Sequence, residues 1–119
     1  MEQFVDQLVR KLVLDIVANL VASPSDGGTP VLTGWARANW VPQIGSPSGR
    51  VVGTPETVST GTQQAALARI ASTYRVSQGT VTIGNNVPYI VRLNAGSSQQ
   101  APAMFVQAGI AKAIRSLSL

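Results

Sequence analysis

The feature that most constrains the fold is an apolar stripe near the start of the chain. Apolar residues recur there at the i, i+3, i+4, i+7 spacing of an amphipathic helix: Val5, Leu8, Val9, Leu12, Val13, Ile16, Val17 and Leu20. The pattern predicts a helix over residues 2–22, in which Asp6 and Arg10 have the i, i+4 spacing of an ion pair. Leu14 and Val21 widen the apolar face. The helix is therefore either an ordinary core element or one that contacts both its own sheet and a neighbouring subunit.

Two later segments have the pattern of strands. The first is residues 36–44, where alternate side chains point to opposite faces and Pro42 marks an edge or a break. The second is residues 76–84, which are rich in β-branched side chains and contain a turn or bulge at 77–79. Trp35 and Trp40, at the start of the first segment, are interpreted as core anchors.

Two further segments have the pattern of helices. One covers residues 62–72, and the other begins at Ala101-Pro102 with an apolar stripe at Val106, Ile110, Ala113, Ile114 and Leu117. There is no parallel βαβ alternation. The prediction is a single α+β domain, residues 1–119: a small, mainly antiparallel sheet packed by a long N-terminal helix, a short middle helix and a C-terminal helix.

Two connections carry distinctive residues. Residues 45–61 form a long loop, and such loops are uncommon in compact domains. This loop either reaches a neighbouring subunit or is mobile and exposed. Before the last helix, Pro88 can start a helical turn that places Tyr89, Ile90 and Leu93 on one side, and Gly96 can end it.

The composition favours assembly over catalysis. Only 12% of the residues are charged, about half the usual fraction, so the surface is either covered by other subunits or merely polar. The net charge is +4, and the cations are dispersed rather than clustered as in a typical nucleic-acid binder. DNA passing nearby stays compatible with that distribution.

The residue inventory also narrows the chemistry. The chain has no Cys and no His, which removes thiol chemistry, disulfides, classical zinc sites and the usual general base. No nucleotide-binding loop follows a strand. We predict no enzyme activity, no catalytic residues, no metal and no cofactor. No apolar run reaches a membrane span of about 20 residues, and acidic residues interrupt the weak signal-peptide pattern at the start.

Two segments of the chain together resemble a known family. They are Thr33-Gly34-Trp35-Ala36-Arg37-Ala38-Asn39-Trp40 and Asn86-Val87-Pro88-Tyr89-Ile90-Val91-Arg92-Leu93-Asn94-Ala95-Gly96-Ser97-Ser98-Gln99-Gln100-Ala101-Pro102. The chain is similar to the neck or tail-completion proteins of long-tailed bacteriophages, the group that includes the minor tail protein Z of lambda-like phages. The order and spacing of the segments match over nearly the whole chain. Two positions depart from the family pattern: Ile90 stands where Ala is usual, and Asn94 stands where Glu is usual.

The resemblance implies a structural virion protein at the head–tail junction. Members of this family are expected to form a sixfold or twelvefold homo-oligomeric ring that contacts other neck, connector and tail-tube proteins. DNA is expected to pass through the channel of the ring. The expected location is the virion tail or neck, and the host cytoplasm during assembly, without a membrane. Alternatives are a tail-terminator ring capping the tail tube, a DNA-binding accessory protein and a small enzyme. The signature or interface residues that it implies are Thr33, Gly34, Arg37, Trp40, Pro88, Tyr89, Arg92, Asn94, Gly96, Ser98 and Pro102.

Overall fold

A computed structural model describes residues 2–31, 34–47, 49–96 and 103–117. In that part of the chain the helices are α1 (Glu2–Val21), α2 (Trp35–Ala38), α3 (Gly61–Thr73), α4 (Ile90–Asn94) and α5 (Phe105–Arg115). The strands are β1 (Val41–Ile44) and β2 (Val81–Gly84), and 3₁₀ turns cover Pro24–Asp26 and Val76–Gln78. The α+β prediction is confirmed, because a two-stranded antiparallel sheet packs against the long N-terminal helix and the middle helix, and the C-terminal helix packs on the N-terminal one.

Helix α1 is the element around which the core forms, as its stripe predicts. Val13, Ile16, Val17 and Leu20 are buried. The helix packs most extensively on α5, and Gly109 lies at that contact. A methyl group added at Gly109 would lie 3.3 Å from Leu20 Cδ2, and Asn19 Nδ2 donates a hydrogen bond of 3.0 Å to Gly109 O.

The stripe predicted for the last helix is partly wrong. The helix begins at Phe105, and its buried residues are Phe105, Gly109 and Ala113; Ala101-Pro102, where its start is predicted, lie outside the described residues. Val106 and Ile110 are partly buried against the same core, but Ile114 is 53% exposed. Because Gly109 has no side chain, α1 and α5 approach closely at this residue. The buried face of α5 is therefore centred on Gly109. Ile114 is thereby turned outward.

The sheet is short and antiparallel, with Val41 opposite Gly84 and Ile44 opposite Val81. Gly45 N donates to Thr80 O at 2.7 Å, which extends the ladder beyond the strands. The alternation of antiparallel pairs then places Pro42 and Ile83 in a non-hydrogen-bonded pair, where the missing proline N–H removes no ladder bond. Both strands are edge strands, as Pro42 predicts.

The first predicted strand is wrong in its N-terminal half, since Trp35–Ala38 form a helical turn. Side-chain amides hold that turn. Asn39 Nδ2 donates to Trp35 O at 2.8 Å, and the buried Gln63 amide donates to Arg37 O and Trp40 O at 3.0 Å each. The two long-range bonds from Gln63 override the strand-like alternation of the local sequence.

The second predicted strand is right only at 81–84. Residues 76–78 form a 3₁₀ turn, in agreement with the turn expected at 77–79. Tyr74 ends the preceding helix, and its hydroxyl donates to Gly79 O at 2.6 Å. The ion pair predicted between Asp6 and Arg10 does not form. Both side chains instead bond the backbone of this connection, which draws them away from each other.

Candidate subunit interface

The two segments that resemble the phage family lie in contact in the structure. The Trp35 and Tyr89 rings meet edge to face, with centroids 5.9 Å apart and an interplanar angle of 61°. Beside them, Asn85 Nδ2 donates to Ala36 O at 2.8 Å. Segments some 50 positions apart in sequence therefore form one surface unit.

The first segment contributes mainly to the core. Gly34 is buried at the start of α2, and Arg37 is half-buried. Trp40 is 6% exposed, and its Nε1 donates to the buried Thr29 hydroxyl at 2.8 Å. The anchor interpretation is thus right for Trp40. Thr33 lies outside the described residues.

Asn94 joins the second segment to the last helix. Its Oδ1 accepts from Val106 N at 2.9 Å, and its Nδ2 donates to Gln107 Oε1 at 2.9 Å. The Asn94 backbone carbonyl accepts from Met104 N at 2.6 Å. The Asn94 side chain therefore accepts a hydrogen bond from a backbone N–H in the first turn of α5. The N-cap residue Met104 makes no such side-chain bond.

Gly96 allows the chain to reverse after α4. Its φ is +100°, and an added Cβ would lie 3.1 Å from Ala103 Cβ. Both the backbone conformation and the neighbour favour glycine here, as the C-cap prediction expects. Ser98 and Pro102 lie outside the described residues.

The outer side of the second segment is exposed and partly apolar. Pro88 and Arg92 are exposed, and Val91 is 78% exposed. Tyr89 is half-buried beneath them. Sequence reasoning missed Val91, although the placement of Ile90 and Leu93 on the core side already turns Val91 outward. Arginine is enriched in protein interfaces, so this side of the segment is a candidate contact surface.

The long loop is tied to its own domain through Val52, and neither interpretation of it anticipated that attachment. Asn39 Nδ2 and Trp35 Nε1 both donate to Val52 O at 3.0 Å, and Val52 N donates to Asn39 Oδ1 at 2.7 Å. Trp35 is therefore half-buried as a clamp on the loop rather than as a core anchor. Asn39, which is 2% exposed, belongs to the first resembling segment, but its bonds to the loop were not predicted because they join residues that are distant in the sequence.

The described residues give no further sign of chemistry. They contain no group of three or more His, Cys, Asp or Glu side chains able to hold a metal ion. Among them, no helix has the length and apolarity needed to cross a membrane.

Searches of protein-family models, curated proteins and solved structures find no match for this chain.

Proposed function

We propose that this chain is a structural, non-enzymatic virion protein of the head–tail junction of a long-tailed phage. It forms a ring that completes the tail end and joins it to the DNA-filled head. The observation that carries the proposal is the Trp35–Tyr89 contact. The two segments that together resemble the neck and tail-completion family lie in contact, as parts of a single family signature would.

The surface supports self-association. Val91, Met104 and Ile114 are each more than half exposed although their side chains are apolar. Burial of such side chains in an interface would stabilise it by about 25 cal/mol for each Å² removed from water. The low charge content of the chain reduces the desolvation cost of the same step.

The ring is proposed to be sixfold or twelvefold and to contact connector and tail-tube proteins, in the virion and during assembly in the host cytoplasm. A tail-terminator ring that caps the tail tube is the nearest alternative, since the same surface unit would serve it. A DNA-binding accessory role has less support. The cations lie on all five helices and in loops, without a cluster in sequence.

The test is a tail-joining reaction in vitro. Purified chain is added to heads and tails from a lysate that lacks it, and infectious particles are counted. We expect joining to be restored, with the chain found at the neck by immunogold labelling. A tail terminator would instead limit tube length when it is added during tail-tube polymerisation. A chain that does neither contradicts the proposal.

A further inference from the structure

A polar cleft lies between the N-terminal half of α1 and the end of α3. Its volume is about 740 Å³, and its polar lining includes Gln3, Asp6, Arg10, Ser72, Arg75 and Ser77. The two guanidinium groups outnumber the one carboxylate, so the cleft has a net positive charge. Asp6 is already engaged, because its Oδ1 accepts from Val76 N at 2.7 Å.

Arg10 is held in position to bind an anion. Its Nε donates to Tyr74 O at 2.6 Å, and the residue is half-buried. That bond fixes the plane of the guanidinium while its two terminal amino groups bond no described residue. The two terminal amino groups of Arg10, which can donate side by side to a carboxylate, are thus held in one orientation before binding. Arg75 is exposed on the opposite wall of the cleft.

Elsewhere on the molecule, a tight bend presents a carboxylate. Thr54 and Thr57 exchange backbone hydrogen bonds of 3.2 and 3.1 Å, and the Thr54 hydroxyl also accepts from Thr57 N at 3.0 Å. Pro55 and Glu56 lie between them, and proline suits the second position of such a turn. Gly53 has φ +68°, and an added Cβ would lie 2.6 Å from Thr57 O. The bend is therefore built to hold one shape with Glu56 exposed.

Glu56 differs from the other acidic side chains that the structure describes. Asp6 accepts from a backbone N–H, Asp15 pairs with Lys11, and Asp26 accepts from Ser23 Oγ. Glu56 bonds no described residue. No Asp or Glu follows Glu56 in the sequence, so the half of the chain that supplies Arg75 is purely basic.

The bend and the cleft lie toward opposite ends of α3. The bend precedes Gly61 and is attached through Val52 to α2, whereas the cleft is lined by Ser72 at the other end of the helix. The 13 residues of α3 span about 20 Å. Glu56 is therefore kept from the cleft of its own molecule, and the two features suit a head-to-tail contact between copies.

We propose that the Glu56 bend of one copy docks in the Arg10–Arg75 cleft of the next copy. The contact is heterologous, and repetition of such a contact closes a ring when the rotation permits. This inference rests on the proposed ring and names the residues that join its subunits. A rigid acidic turn meeting a preorganised arginine gives the contact its direction.

Charge exchange tests the pairing. Glu56→Arg and Arg75→Glu are each expected to weaken self-association about tenfold or more, because each places like charges together. The double variant restores an opposite-charge pair between positions 56 and 75 while Arg10 is unchanged, so it is expected to recover part of the assembly that each single variant loses. Arg69→Glu is the matched control for Arg75→Glu, because it makes the same charge change at a position outside the cleft lining. Sedimentation velocity at low and high salt measures all four variants and the wild-type chain.

Cysteine cross-linking tests the geometry independently, since the chain has no native cysteine. The variant carrying both Thr57→Cys and Ser77→Cys keeps the Glu56 carboxylate and is expected to oxidise into a ladder of covalent oligomers. An equimolar mixture of the two single variants is expected to give a mixed disulfide dimer that carries one copy of each. Replacing Ser77→Cys by Ala108→Cys, on the exposed side of α5, is expected to abolish the ladder.

The outcomes separate this inference from the proposed function. A ring that persists unchanged in Glu56→Arg and Arg75→Glu, with no cysteine ladder, overturns the inference and leaves the ring intact. A double charge variant that stays as weak as the single variants also overturns the pairing. A wild-type chain that remains monomeric, together with a double cysteine variant that gives no ladder, overturns both proposals.

Discussion

Two asparagines carry more of the architecture at the residue scale than their polarity suggests. Asn39 holds the long loop to α2, and Asn94 holds α4 to α5. Each uses both ends of its amide, which donates and accepts at once. Among the described residues, every buried side-chain N or O atom has a hydrogen-bond partner. Loss of either amide therefore leaves backbone groups unpaired.

Asn39→Ala tests the loop clamp. We expect a loss of about 1–3 kcal/mol in the free energy of unfolding, because backbone groups of Val52 and Trp35 lose their partners. Chemical denaturation measures the loss, and limited proteolysis in the long loop should become faster. Asn86→Ala is the control, since Asn86 makes one exposed bond of 3.3 Å to Arg50 O. Equal effects from the two substitutions would contradict the clamp.

Asn94→Ala tests the capping of α5. We expect a destabilisation of about 0.5–2 kcal/mol, the range for loss of a helix cap. Asn94→Asp keeps the acceptor for Val106 N and adds a negative charge near the helix start, so it should retain most of the stability. Thermal unfolding of both variants measures the difference. An aspartate as damaging as alanine would show that the Gln107 bond is the important one.

Tyr89→Ala tests the contact between the two resembling segments. Because Tyr89 is half-buried, we expect a folded but destabilised chain, with a loss of about 1–3 kcal/mol that includes the ring pair with Trp35. Tyr89→Phe keeps the pair and should be close to wild type. Near-ultraviolet circular dichroism and denaturation follow both. A normally stable Tyr89→Ala that fails to join tails would place Tyr89 in an interface instead.

At the scale of elements, the α1–α5 contact is the principal one. Its closeness depends on Gly109, where an added Cβ would meet Leu20 at 3.3 Å and Asn19 at 3.6 Å. The helices are also joined by the Asn19 amide. The apolar stripe of α1 predicted its own buried side correctly because its partners cover most of that stripe.

Gly109→Leu should force α1 and α5 apart. We expect about 1–3 kcal/mol of destabilisation from overpacking. Ala108→Leu, at the neighbouring exposed position, should leave the free energy of unfolding nearly unchanged. Urea denaturation of both variants decides the matter. Similar stabilities would contradict the close contact.

Sequence patterns predicted elements where local periodicity and tertiary packing agree. The α1 stripe and the middle helix illustrate this, with α3 observed at Gly61–Thr73 against a prediction of 62–72. They failed at Trp35–Ala38, because Gln63 from a later helix bonds two carbonyls of that region. They also failed at Ile114, whose direction follows from docking at Gly109. Neither long-range contact is visible in the local sequence.

The sequence likewise predicted only part of the candidate interface. Pro88, Tyr89, Asn94 and Gly96 were recognised as a turn, and the structure places them in one. The capping of α5 by Asn94 and the exposure of Val91 required the fold. The separation of the Glu56 bend from the arginine cleft also required the fold, because it depends on the length of α3 between them.

At the scale of the whole molecule, the proposed ring requires lateral contacts between copies of the chain. The principal extents are 44 × 28 × 18 Å, and the radius of gyration is 14.3 Å against about 13.5 Å for a compact chain of this length. A flattened body with exposed apolar side chains is expected to pack beside copies of itself.

Val91→Asp should weaken that assembly without unfolding the chain. Val91 is 78% exposed, so the fold should tolerate the substitution, while a buried unpaired carboxylate would oppose an interface. Ala68→Asp, on the exposed side of α3, is the control for added negative charge. Light scattering and thermal unfolding measure both. Unchanged assembly of Val91→Asp would exclude Val91 from the interface.

The most direct test of the central claim is the solution mass and shape of the wild-type chain. Light scattering coupled to size exclusion, followed by negative-stain imaging, measures both. A ring of six copies of the 12.4 kDa chain would have a mass of about 74 kDa, and one of twelve copies about 149 kDa. We predict one of these masses and symmetric ring images. A monodisperse 12.4 kDa species that neither assembles nor binds tails would contradict the account.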